Sequence, residues 1–135
     1  MSVFASPRFL RQVLLVDAAA CLATGALQLG LTSRLAEALA LPGPLLASTG
    51  AFLLGYAALA AWVASRQPVP TGWVTLFVAG NAAWGVACIG LLAAGVLAPN
   101  AWGQAWVLAQ ALTVIVLAEL QWLGLRARRA RPLAA

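Results

Sequence analysis

Four long apolar stretches, each bounded by residues that cannot continue a helix, constrain this chain more than any other feature. They run over about 9–31, 45–65, 71–97 and 101–125. Each matches or exceeds the roughly 20 residues that cross a ~30 Å hydrocarbon core. Lipid offers no water to a backbone N–H or C=O, so each stretch must satisfy its own hydrogen bonds as a helix. The breaks have their own chemistry. Leu41-Pro42-Gly43-Pro44, Arg66-Gln67-Pro68-Val69-Pro70 and Ala98-Pro99-Asn100 each place proline where a helix would need an N–H. The expected fold is all-α, a single four-helix transmembrane bundle spanning residues 1–135.

Composition closes the alternatives. Only 8% of the residues are charged and 64% are hydrophobic, whereas a soluble domain carries about 25% charged residues. Disorder is excluded by the same numbers, because it needs low hydrophobicity and high net charge. The net charge of +5 does not point to nucleic acid in such a chain. It reads instead as arginine held on the cytoplasmic side. Arg8 and Arg11 precede the first span, Arg66 separates the second and third, and Arg126, Arg128, Arg129 and Arg131 follow the fourth. Only Arg34 falls on the other side. This bias predicts both termini in the cytoplasm.

The missing residue types exclude several chemistries. Without histidine there is no bis-His haem site, no usual His-based metal site and no Ser-His-Asp triad. Without lysine no Schiff base forms. No phosphate-binding glycine fingerprint occurs. Cys21 and Cys88 lack a Cys-x-x-Cys partner and read as small core residues. No cofactor or metal is expected, and a membrane enzyme acting on a lipid-soluble substrate is the least favoured reading, because no convincing nucleophile or metal site is present.

The first connection is longer than the others. Thr32 to Leu39 reads as a short amphipathic helix in the first external loop, with Ser33 as N-cap candidate and Leu35, Ala38 and Leu39 on one face.

Polar residues inside the spans need an explanation, because a charge near a helix centre costs about 2.5–3.5 kcal/mol on insertion scales. On span one, Asp17, Cys21, Thr24 and Gln28 recur at i, i+4, i+7 and i+11, which places them on one face. That face turns either to a polar seam between helices or to a ligand or ion path. Helical rise puts Glu119 at ~9 Å, Asp17 at ~12 Å, Tyr56 at ~13 Å and Asn81 at ~15 Å from the cytoplasmic end of each span. These depths define an expected buried polar layer of Asp17, Tyr56, Asn81 and Glu119. Cys21, Thr24, Gln28, Trp84 and Cys88 are its candidate lining. Gln110 and Gln121 fall on nearly the opposite face of span four from Glu119. A faint repeat, Asp17-Ala18-Ala19-Ala20 against Asn81-Ala82-Ala83-Trp84, would set Asp17 opposite Asn81. The small residues Ala47, Ala51 and Gly55 offer a close helix approach.

Asp17, the run Asn81-Ala82-Ala83-Trp84 and Glu119-Leu120-Gln121 together resemble a group of uncharacterised small four-span bacterial membrane proteins. The resemblance implies a bacterial cytoplasmic (inner) membrane and carries no activity or site assignment. Two functional readings follow from the residues. One is a non-enzymatic module that binds a partner protein or lipid through the polar layer. The other is a small proton-coupled transporter or channel-like oligomer that uses Asp17 and Glu119. Expected partners are the bilayer, a protein partner or second copy, and a lipid-soluble ligand.

Overall fold

The structure, a computed structural model, describes residues 3–130; Arg131 lies outside them. A 3-10 turn at Val3–Ala5 precedes α1 (Pro7–Gly30), α2 (Thr32–Leu39), α3 (Gly43–Ser65), α4 (Thr71–Ala93) and α5 (Ala101–Arg129). All but α2 are long and apolar enough to cross a membrane. The architecture is a four-helix membrane bundle with a short helix between its first two spans.

The helix ends follow local chemistry. The Ser6 hydroxyl accepts from the Arg8 amide at 3.2 Å, and Pro7 opens α1, where its missing N–H costs nothing. α4 stops at Ala93, four residues before the expected end, and the chain turns through Gly95 at φ 69°. α5 runs on to Arg129, past the expected end at 125. Its last turn carries Arg126, Arg128 and Arg129, good helix formers whose charge suits the negative end of the helix dipole.

α1 packs most extensively on α3, and α4 on α5; contact between α1 and α5 joins the two pairs. Lipid is as apolar as leucine, so close van der Waals packing must hold these pairs together. Small residues sit where it does. A Cβ on Gly25 would lie 2.9 Å from the Gly50 carbonyl oxygen, and a Cβ on Gly85 would lie 2.7 Å from Ile115. The stripe Ala47, Ala51 and Gly55 is not the seam: Gly55 has open space where a Cβ would stand. α3 and α4 meet through aromatic rings. Tyr56 and Phe77 pack edge-on at 5.1 Å, Phe52 and Trp84 stack at 5.8 Å, and Trp62 and Trp73 meet at 6.1 Å.

Two apolar clusters bracket the middle of the bundle. One, at the end bearing most of the arginines, gathers Leu10, Leu14, Val63, Val74, Phe77 and Leu125. The other gathers Leu39, Leu41, Leu46 and Val107 beneath α2. α2 docks on α3 and α5 through Leu39, with Leu35 and Ala36 partly buried; Ala38 is exposed. Ser33 does not cap it. The N-cap is Leu31, without a side-chain bond, because α1 passes almost directly into α2. Asn100 fastens this end. Its Nδ2 donates to the Ala38 carbonyl at 2.8 Å, and its Oδ1 accepts from the Gly103 amide at 2.9 Å.

A carboxylate cluster and the crevice above it

Between the two apolar clusters, each long helix contributes a polar side chain to one point. Asp17 of α1 is fully buried. Its Oδ2 accepts from Gln121 Nε2 at 2.7 Å, Asn81 Nδ2 at 2.9 Å and the Tyr56 hydroxyl at 3.0 Å. Among the described residues Oδ1 receives only the Cys21 thiol, at 3.6 Å, a weak donor. Asn81 Nδ2 also approaches Gln121 Oε1 at 3.4 Å. Every partner presents a donor and none is a cation, so hydrogen bonds alone offset the desolvation of the carboxyl. Leaving a buried carboxyl unpaired in such a low-dielectric site would cost several kcal/mol.

Asp17, Tyr56 and Asn81 thus come together from α1, α3 and α4. Glu119 does not join them. It lies on the exposed face of α5, and Gln121, fully buried, occupies the place expected of it. The expectation of an inward-facing Glu119 is therefore corrected. The physical reason is charge. A second carboxylate beside Asp17 would repel it, whereas an amide supplies the donor that Asp17 lacks. Glu119 stands seven residues before Arg126, about 10 Å by helical rise. At that depth local thinning and water access reduce its cost.

The candidate lining residues sort into two neighbouring spaces. α1 meets α5 closely at Gly124, where a Cβ would come 3.0 Å from Leu10. Beyond Asp17 the two helices leave a crevice of about 220 Å³. Asp17 and Cys21 form its floor, and Thr24 continues the polar face of α1. Leu53, Trp84, Trp106, Val114 and Leu117 make apolar walls, and Gln110 adds a polar group from α5. Ala109 and Thr113 on its rim are exposed, so it opens to the outside of the bundle. A second space of about 100 Å³ holds Gln28, Thr49 and Cys88 and shares Trp84, Trp106 and Gln110 with the first. There the Thr49 hydroxyl lies 2.9 Å from Gln28 Oε1.

Trp106, which borders both spaces, has a buried indole N–H without an acceptor among the described residues. Such a group costs about 1–3 kcal/mol while it stays unsatisfied. Reading the sequence missed Gln121, Gln110 and Trp106. The signal for the glutamines was present: they are eleven residues apart, three helical turns, and share a face. Among the described residues no group of His, Cys, Asp and Glu side chains could hold a metal ion. Comparison with protein-family models, characterised proteins and solved structures finds no match.

Proposed function

We propose that this protein is a non-enzymatic membrane module that binds a lipid-soluble amphiphile by its polar end, in the crevice between α1 and α5. The make-up of the crevice carries this reading: apolar walls, an exposed rim and a carboxylate floor whose Oδ1 has spare acceptor capacity. The crevice of about 220 Å³ falls short of the roughly 300–1,000 Å³ that houses a drug-sized ligand. A polar end group fits, and the remaining chain lies in the bilayer. A hydroxyl or amine on the ligand suits Asp17, and a carbonyl, ether or phosphoryl oxygen suits the free Trp106 N–H.

The membrane is that of a bacterium in this reading, with both termini in the cytoplasm. The arginine bias and the resemblance noted above support it. The alternative, a small proton-coupled transporter or channel-like oligomer using Asp17 and Glu119, is the less favoured reading, since Glu119 lies on the exposed face of α5, away from Asp17.

Native mass spectrometry of the full chain, reconstituted with total bacterial membrane lipid and re-extracted in mild detergent, tests the reading. Wild-type protein should retain a discrete amphiphile. Ala109→Phe, a change on the exposed rim, should fill the mouth and abolish retention while helicity is unchanged. Equal retention by the plugged variant, or none by the wild type, overturns the proposal.

A further inference from the structure

A separate cleft stands at the opposite end of α1 from α2, away from the crevice between α1 and α5. Three chain segments converge there: the start of α1, the α3–α4 connection and the end of α5. They enclose a cleft of about 770 Å³ lined by Ser6, Arg8, Arg11, Gln67, Val69 and Arg128, among others. One wall is fixed. Val69 is buried, and Arg128 Nη1 donates to its carbonyl at 3.3 Å. That bond ties the end of α5 to the α3–α4 connection, and the other guanidinium N–H groups of Arg128 have no partner among the described residues. The opening amides of α1 are already engaged by Ser6, from Arg8 to its hydroxyl and from Phe9 to its carbonyl. Recognition in this cleft therefore falls to the guanidinium groups.

No acidic side chain lines the cleft. The chain has three acidic residues. Asp17 is buried in its cluster, Glu37 belongs to α2, and Glu119 is nine residues, about 13 Å by helical rise, before Arg128. No acidic side chain of this chain therefore stands beside Arg8, Arg11 and Arg128, and their guanidinium groups are open to an anion. Arg66 is spoken for, with its guanidinium carbon 4.5 Å from the centre of the Trp62 ring. Arg126 is exposed on α5 and does not line the cleft. The guanidinium fork matches phosphate oxygens in pairs, which an ammonium cannot do.

We propose that Arg8, Arg11 and Arg128 form a phosphate-binding site at the membrane surface. The ligand is a phosphate ester, carried either by an anionic phospholipid headgroup or by a soluble molecule. The cleft stands at the ends of membrane-crossing helices, the level at which headgroups lie.

The test uses the full chain in detergent and in nanodiscs. The lipid arm compares phosphatidylglycerol with phosphatidylcholine by native mass spectrometry. The soluble arm titrates inorganic phosphate in zwitterionic detergent and reads thermal stability. Wild-type protein should retain phosphatidylglycerol selectively, and Arg11→Gln, an exposed position, should weaken that retention about tenfold. Arg8→Gln should act in the same direction. Arg126→Gln, with the same net charge as Arg11→Gln, should bind as wild type does. Stabilisation by inorganic phosphate alone, lost in Arg11→Gln, supports the site and assigns it a soluble ligand. Equal losses in Arg126→Gln and Arg11→Gln would reduce the effect to general surface charge and overturn the proposal. So would binding in neither arm.

Discussion

Gln121 and Asp17, 104 positions apart in the chain, meet at 2.7 Å, the Gln121 amide donating to Asp17 Oδ2. This bond links α5 to α1, the contact that joins the two packed helix pairs. It also fixes which face of α5 looks inward. With Gln121 on Asp17, Gln110 falls beside the crevice and Glu119 is turned outward. The polar cluster therefore sets the rotation of α5 as well as satisfying a buried carboxyl.

Removing the Gln121 amide should expose that dependence. Gln121→Leu should destabilise the protein by about 1–3 kcal/mol, the cost of an unmet buried polar partner. Gln121→Glu should be worse, because it sets a like charge against Asp17. Thermal unfolding in detergent, followed by circular dichroism, measures both. Combined with Asp17→Asn in a double-mutant cycle, Gln121→Leu should show a coupling of about 0.5–3 kcal/mol. Zero coupling would mean that the two side chains do not interact.

The two intramembrane carboxylates should respond differently to the same change. Glu119→Leu should alter stability by no more than about 0.5 kcal/mol, as expected of an exposed position. Asp17→Leu should cost several times more, because it leaves Tyr56, Asn81 and Gln121 without their shared acceptor. Parallel melts in one detergent decide the matter; equal losses would place Glu119 inside the bundle.

Close approach of α4 and α5 rests on Gly85. Gly85→Leu should cost about 1–3 kcal/mol through overpacking against Ile115, and Ile115→Ala should restore part of it. Gly55→Leu should be tolerated, since nothing lies within 4 Å of its would-be Cβ. Resistance to unfolding in mixed detergent, compared across the variants, reads the difference.

Asn100 holds α2 to the start of α5. Asn100→Ala should cost about 1 kcal/mol, typical of a lost N-cap. The loss should be local. Hydrogen exchange in α2 should accelerate, while amides near Asp17 keep their protection.

The sequence by itself determined the number of spans, their helical state and their junctions. Twenty-odd apolar residues between prolines leave a lipid-embedded backbone no other way to satisfy its hydrogen bonds. It also marked Asp17, Tyr56 and Asn81 as residues of one depth, because helical rise converts position into depth. The early stop of α4 at Ala93 escaped it, since apolar residues continue to Leu97 and only the turn at Gly95 interrupts them. Rotation about the helix axes was not legible either. Span four offers Glu119 on one face and Gln110 with Gln121 on the other, and periodicity assigns no inward side when both faces carry a polar group. Tertiary structure decided it: Asp17 needed a donor and would have repelled a second carboxylate. The crevice is likewise a product of packing. It exists because α1 and α5 touch at Gly124 and leave space beyond Asp17, a relation between two surfaces that no single stretch of sequence contains.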